Sequence, residues 1–166
     1  MGGGPSVSTD DLGHAHYREV MGRFASGVTI VTTLDDDGPS GFTCQAFLSL
    51  SLDPELVALG AATSSRTWTR IQRVGRFCVN VLSDGQESLA RAFAEKADLK
   101  FEGVGWHRGP LGTPVLEDTV AWAECDLLDV HPAGDHALAV GKVGAVGSGD
   151  GRPLVFYRGG YGTFGL

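Results

Sequence analysis

Three short stretches hold residues able to do chemistry. The first is TSSR, residues 63–66, which follows a strand-like run and opens a helix-like one. The first N–H groups of a helix have no intrahelical partner, so this junction suits an anion, and the hydroxyls of Thr63, Ser64 and Ser65 and the Arg66 guanidinium add donors around one phosphate. The same serines also serve simply as helix caps. The second stretch is GFTCQAFLSLSLDP, residues 41–54, in which Thr43, Cys44, Gln45 and Ala46 interrupt an apolar pattern. Thr43 and Gln45 offer polar contacts to the edge of a planar ligand, and the small Ala46 leaves one ring face uncovered. Cys44 is expected to pack inward, because alternation along a strand points it away from its two neighbours. The plainer reading is a strand with one irregular face. The third is Gly134-Asp135-His136. A turn accounts for the glycine and the aspartate, while His136 begins an apolar strand and is able to hydrogen-bond a carboxamide or a phosphate over a neighbouring cavity.

These stretches need a scaffold. The chain has 166 residues, 42% hydrophobic and 20% charged, enough for one domain that buries roughly two-thirds of the surface of its unfolded form. The formal charge of −7 and the absence of a dense Lys/Arg cluster argue against a general nucleic-acid surface. No apolar run is long enough to cross a bilayer. Cys44, Cys78 and Cys125 are odd in number and far apart, without a CxxC pair, and Met1 leads into no apolar signal segment, so a reduced, cytoplasmic protein is expected.

Along the chain, the glycines and proline of residues 1–12 read as a flexible leader, and residues 13–166 as a single domain. Asp10 or Asp11 is expected to cap a helix through about Phe24, with Tyr17, Val20, Met21 and Phe24 forming a buried stripe and Gly27 ending it. Residues 28–34 are largely β-branched and break at DDDGP, which predicts a hairpin whose second arm is the 41–54 stretch. A strand over 56–60 follows. Residues 64–75 predict a helix begun by serine and stopped by glycine, with Trp68, Ile71 and Val74 inward. Residues 77–83 return to strand composition. A third helix over 85–96 turns Leu89, Ala92 and Phe93 inward, and three strands follow near the end. The last cluster, PLVFYRGGYGTF at 153–164, reads as a lid or a contact between copies. Many short strands and few, irregularly placed helices favour a closed or semi-closed antiparallel barrel over a doubly wound parallel sheet.

Taken together, RFASGVTIVTT, GFTCQAFLSLSLDPELV, SSRTW, GRFCVNVLS, the LARAFA helix, GDH and PLVFYRGGYG occur in the order of the short-chain flavin reductases. The resemblance runs from about Tyr17 to Phe164. It implies a mainly β fold, a split β-barrel with a few peripheral helices, forming a homodimer. It also implies hydride transfer from NADH or NADPH to FMN or FAD, with the reduced flavin passing to a separate monooxygenase. Carried over residue by residue, it implies that Thr43, Gln45 and Ala46 lie beside the flavin ring and that Thr63, Ser64, Ser65 and Arg66 surround its phosphate and ribityl chain. Ala94, Arg158 and Tyr161 are implied as further flavin contacts, and His136 as the catalytic contact to the nicotinamide. The same residues leave open a flavin-binding oxidase of related barrel fold, which needs a second basic cluster from Arg73, Arg76 and Arg158, and a non-catalytic flavin-storage protein. No Rossmann GxGxxG fingerprint is present, so NADH is not distinguished from NADPH, and FMN is not distinguished from FAD because the implied contacts concern parts both share.

Overall fold

The computed structural model describes residues 13–97 and 100–165. Strands dominate, in the order β1 (Ser26–Gly27), β2 (Thr29–Asp35), β3 (Gly38–Cys44), β4 (Phe47–Leu52), β5 (Glu55–Ala62) and β6 (Arg76–Val81). They continue as β7 (Trp106–Arg108), β8 (Pro114–Leu116), β9 (Ala121–Ala133), β10 (His136–Ser148), β11 (Leu154–Tyr157) and β12 (Gly160–Thr163). The described helices are α1 (His14–Met21), α2 (Arg66–Val74) and α3 (Glu87–Ala94).

The main sheet has seven antiparallel strands in the order β3-β2-β6-β9-β10-β5-β4. The 41–54 stretch therefore does not form one hairpin arm. It divides at Gln45 and Ala46 into β3 and β4, at opposite edges of the same sheet. A flat sheet would hold those edges far apart, yet the Cys44 thiol at the end of β3 reaches the Gly60 carbonyl of β5, the neighbour of the other edge strand, at 3.5 Å. The sheet must curl to bring its edges together, which gives a barrel-like, mainly β fold that is not closed by a continuous ladder.

One core fills the curl, with Val31, Leu59, Trp68, Ile71, Phe77 and Val79 all buried. A second lies under α3, built on Ile30, Leu82, Phe93 and Leu154. Gly41 is what lets α3 approach: a Cβ there would sit 2.8 Å from the Phe93 ring, closer than side-chain packing tolerates. The Thr43 hydroxyl then ties β3 to the helix by donating to the Ala90 carbonyl at 2.6 Å.

Several sequence expectations need correction. Asp10, Asp11 and the leader lie outside the described residues. α1 ends at Met21, capped by Gly22, and its apolar stripe is not buried: Tyr17, Val20, Met21 and Phe24 are all exposed. In α2 the serine and glycine act as expected. The Ser65 hydroxyl accepts from the Trp68 N–H, and Gly75 takes a left-handed φ of 75°, a cap worth about 0.5–2 kcal/mol at the serine end. Val74 is exposed, however, and Thr67 is buried in its place. In α3 a short 3₁₀ turn over Asp84–Gln86 precedes the helix and shifts its phase, so Ala90 joins Phe93 inside while Ala92 faces solvent. The 153–164 cluster forms a β11–β12 hairpin.

Candidate functional site

Curling the sheet leaves a cleft of about 640 Å³ between β3, the Gln45–Ala46 corner, the start of α2, the end of α3 and the first residue of β10. Each wall has a local cause. Gln45 and Ala46 are there because the chain must leave one sheet edge and reach the other, and this corner carries no ladder of its own. Ser64, Ser65 and Arg66 are there because β5 ends at Ala62, which is also the cross-strand partner of His136. The strand end, the helix start and the His136 side chain are thus brought together by one register.

The structure places Thr43, Gln45, Ala46, Ser64, Ser65, Arg66, Ala94, His136 and Tyr161 on the cleft wall. It does not bring Thr63 or Arg158 there. Thr63 turns to the neighbouring loop, where its N–H and hydroxyl both donate to the Asp135 carbonyl, at 3.1 and 2.9 Å. Arg158 occupies the β11–β12 turn at φ 50°, and its N–H donates to the Gly22 carbonyl. Thr43 lines the cleft with its hydroxyl already engaged by α3.

Among the described residues, four cations line the cleft, Arg66, Arg70, Lys96 and Lys100, against the carboxylate of Glu95. In a chain of formal charge −7 this is a local concentration of positive charge, set beside the positive end of the α2 dipole. Lys100, half-buried, donates to the Phe93 carbonyl at the end of α3 at 2.9 Å. Desolvation, and then the nearby Arg66 charge, push its pKa down. An anion between Arg66 and Lys100 would offset the Arg66 charge and favour the charged lysine. Arg70 is held differently: it pairs with Asp35 and donates to the Gly38 carbonyl. Its hydrogen bonds, with those of Arg73, hold the Asp35 carboxyl well below its ordinary range, at about 2. Arg70 therefore reaches the cleft as a fixed, largely compensated charge.

Sequence reading missed Lys100, Arg70 and the aromatic wall. Phe93 packs edge-on against Phe101 with ring centroids 5.0 Å apart, and Phe101 meets Trp106 the same way at 6.1 Å. These rings carry residues 100 and 101 to the cleft mouth. Tyr161 packs against the same cluster, and the Arg91 guanidinium of α3 lies 4.7 Å from the centre of its ring, which holds that ring in place. A lone lysine in a loop after a helix carries no pattern, and only the α3 periodicity pointed toward Phe93. Cys44 lines the floor, buried as expected, and burial pushes its thiol up to about 11, so it is not a nucleophile. The basic cluster considered for an oxidase does not assemble here. Arg73 pairs with Asp35, and Arg76 pairs with Asp126.

Comparison with known proteins shows which family the chain is similar to. Residues 21–165 match the family model described as flavin reductase like domain. The chain is 43% identical over 160 residues to the reductase subunit of a flavin-dependent monooxygenase from Rhodococcus jostii (strain RHA1), covering 96% of this chain and 82% of that one. It is 44% identical to a flavin reductase from Pseudomonas putida, over 89% of this chain and 88% of the relative. Among solved structures, an NADH:FAD oxidoreductase of Streptomyces globisporus in complex with NAD and FAD fragments superposes with a TM-score of 0.90 at 31% identity, covering 96% of this chain and 98% of that one.

Proposed function

The chain belongs to the flavin reductase like domain family and is an oxidoreductase, and from that premise we propose that it carries a hydride from NADH or NADPH to FMN or FAD and releases the reduced flavin to a separate monooxygenase. One observation carries the reading. A single cleft joins a helix start flanked by Arg66 and Lys100, a corner bearing the small Ala46, and His136. A phosphorylated tail and a planar ring need that combination of charge at one end and an open apolar face at the other.

In this reading Ser64, Ser65 and Arg66 hold the flavin phosphate, Gln45 meets the edge of the ring, and Ala46 leaves room for a second ring to stack. Thr43 acts through its backbone and Ala94 and Tyr161 bound the ends, while the carried-over contacts of Thr63 and Arg158 are not kept. His136 receives the nicotinamide. Bound flavin supplies the acceptor for two electrons and a proton. The protein's own work is alignment, because holding donor and acceptor about 3–3.5 Å apart contributes most of the acceleration when no nucleophile or paired carboxylate takes part.

The relatives' names support an oxygenase partner. A homodimer is supported by apolar side chains left exposed on one chain, among them Leu48, Leu52, Leu138 and those of α1. A cytoplasmic location accords with the absence, among the described residues, of a helix long and apolar enough to cross a membrane. The deciding experiment mixes the protein anaerobically with each pairing of NADH or NADPH and FMN or FAD. Bleaching of the visible flavin band at a rate proportional to protein is expected with at least one pair. Unchanged absorbance in all of them would overturn the proposal.

A further inference from the structure

His136 has two ring nitrogens, and the structure decides which one a ligand meets. Nδ1 lies 2.7 Å from Oδ1 of Asp135. A carboxylate only accepts hydrogen bonds, and the Asp135 carboxyl is held below its ordinary range, first of all by this bond. Nδ1 therefore carries the hydrogen. Nε2 is left as the nitrogen available to a ligand in the cleft that His136 lines. The aspartate is not free to drift. Its carbonyl accepts both the N–H and the hydroxyl of Thr63, at the end of the strand that leads into the Ser64–Arg66 corner, and Gly134 before it takes a φ of 65°. The Asp135 side chain itself is 95% exposed, so its service is not to the core.

We propose that Asp135 is a positioning residue which fixes the tautomer of His136, so that neutral Nε2 accepts a hydrogen bond from the –NH2 of the nicotinamide carboxamide. Thr63 is the brace that holds Asp135 in register. The inference rests on the nicotinamide-binding role given to His136 above, and it adds the direction of the hydrogen bond. That direction matters, because an acceptor at Nε2 selects a primary amide over a ketone or an acid at the same ring position. An Asn at 135 lacks the charge and presents an N–H as well as a carbonyl to Nδ1, so the hydrogen is no longer confined to Nδ1 and Nε2 becomes a donor in part of the population.

The test compares NADH with reduced 3-acetylpyridine adenine dinucleotide, whose methyl ketone has no N–H to give, in wild type, His136→Ala and Asp135→Asn. If NADPH proves to be the donor, its own acetylpyridine analogue replaces it. Wild type should show a KM for the ketone about tenfold above that for the amide, the size of one hydrogen bond. H136A should raise the amide KM and erase the preference. D135N should weaken or erase it, with the flavin Kd unchanged and kcat altered less than the amide KM. In parallel, ¹⁵N shifts of the wild-type imidazole should report Nδ1–H and a bare Nε2. If H136A changes the amide KM while D135N keeps the wild-type preference, Asp135 does not position the ring and this proposal alone is overturned. A wild-type spectrum showing Nε2–H overturns it independently of any variant. If H136A leaves the amide KM unchanged, the role given to His136 falls, and this proposal falls with it.

Discussion

Replacing Ala46 with tryptophan is expected to lower flavin reduction at least a hundredfold while leaving the melting temperature within a few degrees of wild type. Ala46 holds its place through its backbone, whose carbonyl accepts from Gly60 at 2.8 Å, and its side chain is exposed on the cleft wall. A larger side chain there disturbs no packed core and fills the space that a ring and its stacking partner would share. Surface substitutions away from packed features change stability by roughly 0.5 kcal/mol or less, whereas displacing the hydride donor forfeits the proximity on which the rate depends. Thermal melting, flavin titration and steady-state turnover on one preparation separate the two. Wild-type turnover in A46W would mean that the ring lies elsewhere.

Arg66→Gln is expected to weaken FMN and FAD binding by roughly 10- to 100-fold, the range of a charge-assisted hydrogen bond to phosphate, and to leave riboflavin binding nearly unchanged. The contrast matters because riboflavin has the same ring and no phosphate. Arg66 is the first residue of α2 and is exposed, and the Ser65 cap stays in place in the variant. The wild-type Kd for FMN should rise with salt more steeply than that of R66Q, since one cation fewer faces the phosphate. Equal losses for riboflavin and FMN, read by quenching of flavin fluorescence, would show that Arg66 supports the cleft's shape rather than the phosphate.

Much of this was legible before the structure because the relevant signals are local. The β-branched run over 28–34 marks β2, apolar strand-like stretches mark β6, β9 and β10, and the serine and glycine at the ends of α2 mark real caps. What was not legible depends on partners distant in sequence. Nothing within 41–54 says that Cys44 and Phe47 belong to opposite sheet edges, because that split is decided by pairing with β2 and β5. The α1 periodicity was correct for a helix, but periodicity identifies an apolar face without saying what covers it. Thr63 and Ser64 are adjacent hydroxyl residues, and only the register of β5 against β10 shows that one faces Asp135 and the other the cleft. Lys100 became visible only once the Phe93–Phe101 packing placed it near Arg66.

The central claim is that one cleft grips a flavin with its phosphate at the start of α2 and its ring at the Gln45–Ala46 corner. A crystal structure of the protein with FMN bound tests it most directly. The account predicts phosphate oxygens within hydrogen-bonding distance of Ser65 or Arg66, and the ring against Ala46 with one face open toward His136. Flavin bound at any other surface, or in this cleft with its phosphate turned away from α2, would contradict it.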